Sequence, residues 1–253
     1  MNAPPDSLPF LAPCRELPAS APLGWVRKGW QDFRRAPRQS LTYGLVIAAL
    51  SWGVTAVALA MGSYWAVLVL LSGFVFVAPV LALALYSISR QLERGLPPRL
   101  GRCLVEQRQS LGTAMVFALA LLIVFLVWAR AGSMVHVFFP VESDPDWTQI
   151  AAFLAIGSAV GSIFALLSFA ISAFSLPMIC DRGADAVTAV VTSVNAVLRN
   201  KKAMAVWVGL IVLLTGIGFA TALLGLAVTI PVLGHATWHG YRATIDASAW
   251  PAN

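Results

Sequence analysis

Apolar residues run in long blocks along this chain, and polar residues collect in short segments between them. Leu41–Met61, Trp65–Ser89, Leu111–Ala129 and Ile150–Ile179 are such blocks. Each is long enough to cross about 30 Å of hydrocarbon, which takes about 20 apolar residues in a helix. Ala203–Trp238 is too long for one crossing, and Gly216 and Gly218 supply a tight turn that divides it into a fifth and a sixth span. Two further stretches have helical periodicity without being apolar throughout. Leu23, Val26, Trp30 and Phe33 fall on one stripe, with Arg27, Lys28, Arg34 and Arg35 on other faces, up to a break at Pro37. Val187, Val190, Val191, Val194, Val197 and Leu198 form a second stripe, while Asn195, Arg199, Lys201 and Lys202 stay polar. Both patterns predict amphipathic helices lying in the membrane interface.

Charge placement orients this arrangement. Of the 17 Lys and Arg residues, all but Arg130 fall in segments that six crossings leave on one side. Under the positive-inside rule that side is the cytoplasm, and it holds both termini. The 130–150 segment, with Glu142, Asp144 and Asp146, becomes the one sizeable external loop. Residues 1–22 contain six prolines and no signal-peptide core, so they read as a disordered cytoplasmic leader. Residues 23–246 then form a single six-helix membrane domain, and 247–253 a tail.

Composition agrees with membrane integration. With 59% apolar and 11% charged residues and a mean hydropathy of +0.80, the chain is far from the roughly 25% charged content of soluble domains. The net charge of +6 is spread over membrane-adjacent loops, so topology accounts for it and nucleic acid is not implied. Cys14, Cys103 and Cys180 share no CxxC spacing and lie on the predicted cytoplasmic side, where no disulfide is expected.

The same order of features occurs three times: an amphipathic segment, a basic approach, a span, a turn, then a span with a late proline. The units are about 23–95, 96–183 and 184–246, and the prolines are Pro79, Pro177 and Pro231. Arg-Gln-Ser-Leu stands at 38–41 and again at 108–111, before the first and third spans. Tyr86 and Arg90 follow Pro79 at the spacing with which Trp238 and Arg242 follow Pro231. Because each unit crosses twice, the copies are parallel, and the fold class is an all-α polytopic membrane protein of three two-span repeats.

The stretches Gly29-Trp-Gln-Asp-Phe-Arg-Arg-Ala-Pro37, Ser175-Leu-Pro-Met178 with Asp181-Arg182, Asp185-Ala-Val-Thr-Ala189 and Gly234-His-Ala-Thr-Trp-His-Gly-Tyr-Arg242 resemble an integral-membrane family, domain-of-unknown-function family 2189. The resemblance runs over roughly residues 20–245. It implies a bacterial inner-membrane protein without an assigned activity. Some relatives bear names borrowed from cytochrome oxidase subunit I. Haem-copper chemistry needs several histidines on different helices, and this chain has only His136, His235 and His239.

Few residues offer chemistry. His235 and His239 share a helix face at the end of the sixth span and could chelate a transition metal if Cys180 or Asp181 completed the set; with Trp238 and Tyr241 they could equally be interfacial anchors. Arg130 is either an anion contact or a snorkelling residue. Pro79, Pro177 and Pro231 are hinges or static kinks. Gly157 and Gly161 form a GxxxG pair suited to close helix packing. No Asp, Glu or Lys lies inside a predicted span, and no P-loop, GxSxG elbow or dinucleotide fingerprint is present.

The expected function is therefore non-enzymatic and without a cofactor. The chain is a scaffold or accessory for a membrane complex or for lipid organisation, and its partners are anionic head groups or another membrane protein. The alternatives are a carrier for a small, weakly polar solute, which requires a central polar cavity, and a metal-dependent enzyme built on His235 and His239.

Overall fold

The computed structural model describes residues 9–60, 70, 82–99, 101, 110–138 and 146–251. Most of the predicted second span, the turn at Gly62 and Ser63, Pro79, Cys103, Glu142 and Asp144 lie outside the described residues. Among those described, the helices in chain order are α1 (Ala21–Arg35), α2 (Pro37–Ala60), α3 (Leu83–Glu93), α4 (Leu111–Phe138), α5 (Trp147–Ser172), α6 (Ser175–Arg182), α7 (Ala186–Arg199), α8 (Lys201–Ala220) and α9 (Leu226–Thr244). They contain no strand; Cys14 and Ile245 form an isolated antiparallel bridge.

Among the described residues, four helical runs are long and apolar enough to cross a membrane: Pro37–Ala60, Leu111–Gly132, Trp147–Arg182 and Lys201–Ala220. The third spans 36 residues, about 54 Å at 1.5 Å per residue and more than a bilayer core needs. A break at Ala173 and Phe174 divides it into α5 and α6, and the Phe174 backbone N–H donates to Ser193 Oγ at 3.1 Å. Pro177 sits in the first turn of α6, where a missing N–H costs little.

The fold separates into two layers. In the apolar layer, Leu45 and Leu50 of α2, Leu119 and Ile123 of α4, Ile163 and Leu166 of α5, and Val212 and Leu213 of α8 are all exposed. Water would penalise so much bare hydrocarbon, but lipid does not. The polar layer holds α1, α3, α6, α7 and the second half of α9, together with residues 9–18 and 245–251. Its core is aromatic: Trp25, Tyr86, Phe174, Trp207, Trp238 and Tyr241 are buried. Trp25 stands edge-on to Phe174 at 6.2 Å and to Trp207 at 5.6 Å.

Helix α9 is the shared spine, with α1, α2, α3 and α8 packed around it. Glycines let the backbones meet. A Cβ on Gly29 would lie 2.6 Å from the Val232 carbonyl oxygen, and one on Gly44 would collide with the Ala227 carbonyl. That carbonyl is special because Pro231 lacks the N–H that would bond it. Gly44 brings its Cα hydrogens to it, a weak contact worth about 0.5–1 kcal/mol. Residues 9–22, expected to be part of a disordered leader, are instead ordered: Arg15 N–H donates to Thr244 O and Asp246 N–H to Pro13 O, both at 2.8 Å, and α1 begins at Ala21.

Several expectations need correction. The turn does not fall at Gly216 and Gly218: α8 runs to Ala220, and Ala222 and Leu223 turn the chain at φ 52° and 68°. Gly218 is needed within the helix, because Leu226 packs where its Cβ would stand. Thr221 Oγ fastens the turn, accepting from Gly225 N–H at 2.8 Å and donating to Ile217 O at 3.0 Å. The hairpin of α8 and α9 exists, but α9 is not among the helical runs apolar enough to span; its second half is polar and enclosed by protein.

The two helices read as amphipathic each bury one face against the rest of the protein. Helix α1 buries Pro22, Trp25, Gly29 and Asp32, leaving Leu23 and Trp30 exposed. Helix α7 buries Thr188, Ala189, Thr192, Ser193 and Ala196, leaving Val187 and Leu198 exposed. On α7 the inward residues are small or polar, whereas on α1 the inward face combines Trp25 with Gly29 and Asp32. Among the described residues, the GxxxG pair makes no close contact. A Cβ at Gly157 meets nothing within 4 Å, and one at Gly161 meets only Trp128 Nε1 at 3.8 Å. Arg130 is exposed on α4, which continues to Phe138.

Candidate functional site

A chain of hydrogen bonds crosses the polar layer at the level where α1 hands over to α2. Pro37 opens α2, and its first turn points Ser40 toward α9. Ser40 Oγ lies 3.0 Å from His235 Nε2. On the other side of the ring, His235 Nδ1 lies 2.8 Å from Ser89 Oγ of α3. Ser89 donates to Asp32 Oδ2 of α1 at 2.8 Å. The same carboxylate oxygen accepts from His239 Nε2 at 2.8 Å, one helical turn beyond His235. His239 Nδ1 then faces Glu93 Oε1 at 3.9 Å.

These contacts fix the tautomer. Because the Ser89 hydroxyl proton goes to Asp32, its oxygen must accept from His235 Nδ1–H, leaving Nε2 to accept from Ser40. Burial by itself would raise the Asp32 pKa, but the bonds from His239 and Ser89 outweigh it and hold the carboxyl below its ordinary value.

The order Asp–Ser–His–Ser places a base behind a hydroxyl, which is one requirement for an activated nucleophile. Access is the other, and here Ser40 and His235 are both 0% exposed. What the arrangement does is lock α1, α2, α3 and α9 in one register.

A second cluster is built on α6. Asp181 Oδ2 accepts from Tyr241 OH at 3.0 Å and Arg182 Nε at 2.9 Å, with Arg242 Nη1 at 3.6 Å. The Cys180 carbonyl accepts from Arg90 Nη1 at 2.9 Å. The metal set read from the sequence is therefore divided: His239 bonds Asp32 and His235 is linked to it through Ser89, whereas Asp181 bonds Tyr241 and Arg182. Among the described residues no group of three or more His, Cys, Asp or Glu comes together to hold a metal. The interfacial-anchor reading also fails, since His235, Trp238 and Tyr241 are all buried within the protein.

Sequence reasoning passed over Asp32 and Ser89. The signal was available for Asp32, which shares a face with Trp25 and Gly29, but the larger Leu23 stripe masked it. Nothing marked Ser89, because its partners come from helices far apart in the chain.

Buried polar groups beneath an apolar layer of exposed spans belong to a membrane protein, and the comparison with known families agrees. Residues 66–181 match the family model DUF2189, predicted integral membrane proteins. The chain is thus a multi-pass integral membrane protein, in keeping with the resemblance carried by its motifs. No curated protein and no solved structure matches it. The family match includes Ser89, Glu93, Cys180 and Asp181, while Asp32, His235 and His239 lie on either side of it.

Proposed function

We propose that this protein is a non-enzymatic scaffold of a bacterial inner membrane, with both termini cytoplasmic and six crossings in three like-oriented units. Its polar layer is a rigid platform for another membrane protein or for lipid organisation. The observation that carries this reading is where the ionisable groups are spent. Asp32, His235 and Asp181 are buried in bonds that fasten helices together, and the bonded Ser40 is fully buried.

The burial pattern supports three units. Ser40, Gly44 and Ile47 of α2 are buried at the same spacing as Ser110, Ala114 and Phe117 at the start of α4. Asn200, Met204 and Trp207 repeat that spacing at the start of α8. In each case a polar residue at the entry bonds across: Ser40 to His235, Ser110 to the Ile179 carbonyl at 3.2 Å, and Asn200 to the Arg15 carbonyl at 3.1 Å. The platform suits an anionic surface. Arg27, Lys28, Arg34 and Arg35 are exposed along α1, and Lys201 and Lys202 at the head of α8; each cation near such a surface adds about 1 kcal/mol.

Affinity purification of the full chain in mild detergent tests the scaffold. A specific protein partner or tightly held lipid is expected, and a clean, lipid-free monomer would refute it. Topology is tested separately with cysteines at Ser248 and Ala222. A membrane-impermeant thiol probe applied to whole cells should reach the position in the α8–α9 turn and miss the tail.

A further inference from the structure

His239 stands on α9 between two carboxylates that come from different helices. Its Nε2 lies 2.8 Å from Asp32 Oδ2 of α1, and its Nδ1 lies 3.9 Å from Glu93 Oε1 at the end of α3. A neutral imidazole carries one N–H and one lone pair. The N–H goes to Asp32, so a neutral ring turns its lone pair toward the Glu93 carboxylate, which has no proton to meet it. A protonated ring donates at both nitrogens, and each then has an acceptor in front of it.

Glu93 has a second cation within reach. Its Oε2 lies 3.6 Å from Arg242 Nε, one turn further along α9. The two oxygens of one carboxylate therefore face two groups on the same helix, one permanently charged and one charged only when protonated. Exposure suits a group that exchanges protons with water: the side chain of His239 is 12% exposed and that of Glu93 35%. His235, by contrast, is fully buried and its ring is taken up by the Ser40 and Ser89 hydroxyls.

Other charged groups on the helices around α9 have partners elsewhere. From α6, Asp181 takes Tyr241 and Arg182 and lies 3.6 Å from Arg242 Nη1. On α3, Arg90 donates to the Cys180 carbonyl, and Arg94 is exposed just past Glu93. Tyr43 of α2 packs with Ala36, Leu85 and Ile88. The cations of α1, α2 and α8 are exposed.

We propose that His239 is a proton-operated latch for the polar layer: the imidazolium bridges Asp32 of α1 and Glu93 of α3, while the neutral ring keeps Asp32 alone and Glu93 passes to Arg242. The folded chain holds that proton between two carboxylates and the unfolded chain does not. The added stability is therefore present on the acid side and lost as pH rises. The latch is independent of the scaffold reading and needs no partner protein.

The test is thermal melting of the full chain in a neutral detergent at about pH 8 and about pH 5.5, within the range where histidine changes charge. Four proteins are compared at each pH: the parent, His239→Gln, Glu93→Gln and the double variant. At about pH 5.5 the two single shifts in Tm should depart from additivity by about 1–4 °C, the size of a partly exposed ion pair in a chain of this length. At about pH 8 the departure should vanish. If His239→Gln does not fold, the gap between the parent and Glu93→Gln answers on its own, since it must widen as pH falls. Arg242→Gln removes the other partner of Glu93, and the acid-side coupling should persist or grow. Additive variants at about pH 5.5, equal coupling at both pH values, or loss of the coupling in Arg242→Gln would overturn the proposal.

Discussion

Asp32 is the residue on which the register of four helices turns, and replacing it gives the sharpest test of that idea. One carboxylate oxygen, Oδ2, accepts from both Ser89 and His239 at 2.8 Å. Hydrogen bonds to a charged group are each worth about 1.5–3 kcal/mol. Asp32→Asn keeps the volume and one acceptor oxygen but loses the charge, so it should cost about 1.5–3 kcal/mol. Asp32→Ala leaves two buried donors without an acceptor, and breaking a buried pair in this way costs about 3–5 kcal/mol. For a chain of this size that is roughly 6–20 °C in Tm, at about 2–4 °C per kcal/mol. The assay is thermal unfolding in detergent, followed by fluorescence and size-exclusion recovery. A double-mutant cycle with His239→Gln should return a coupling of about 1–3 kcal/mol. If Asp32→Asn melts within about 0.5 kcal/mol of the parent, the range of an unremarkable surface substitution, the bond chain does not hold the fold and the reasoning fails.

Four further predictions follow from the same geometry. Because the folded Asp32 carboxyl sits below its ordinary value, its contribution is fully present above about pH 3.9 and fades as pH falls through the lower folded value; the stability difference between the parent and Asp32→Asn should shrink over that acid range. Gly29→Val should destabilise by about 1–3 kcal/mol or more through overpacking, since even a Cβ there lies 2.7 Å from Ala236 N, whereas Gly157→Ala, with nothing within 4 Å, should be neutral in the same melt. Asp185→Ala should cost about 1 kcal/mol, because its carboxylate caps the α7 backbone N–H groups of Val187 and Thr188 at 3.0 and 2.9 Å. Cys14 is buried, and burial raises its thiol pKa despite its Asn195 contact, so a maleimide should label it in the folded protein far more slowly than after denaturation; fast labelling would mean the leader is not docked as described.

Much of the helical plan is legible in the chain because lipid imposes a one-dimensional rule. A crossing must be apolar along its whole length, so α2, α4, α5 and α8 appear as blocks whose starts lie within about four residues of those observed, while the ends of α4 and α5 differ by nine and seven residues. Helix ends also announce themselves locally, as with Pro37 opening α2 and Asp185 capping α7. Inward and outward faces do not. In water the apolar stripe of a helix faces the core, but beside a membrane it is free to face lipid. On α7 small and polar residues packed inward, on α1 Trp25 did so beside Gly29 and Asp32, and the same ambiguity made Gly157 and Gly161 look more like contact residues than Gly29 and Gly44.

Sequence alone determined that this is an all-helical, multi-pass membrane protein, since hydropathy and length are properties of consecutive residues that no tertiary contact revises. Only the folded structure decided what His235 and His239 do. Their partners, Ser40, Ser89 and Asp32, come from three helices spread along the chain, and side-chain hydrogen bonds a few ångströms long exist only once packing has brought those helices together.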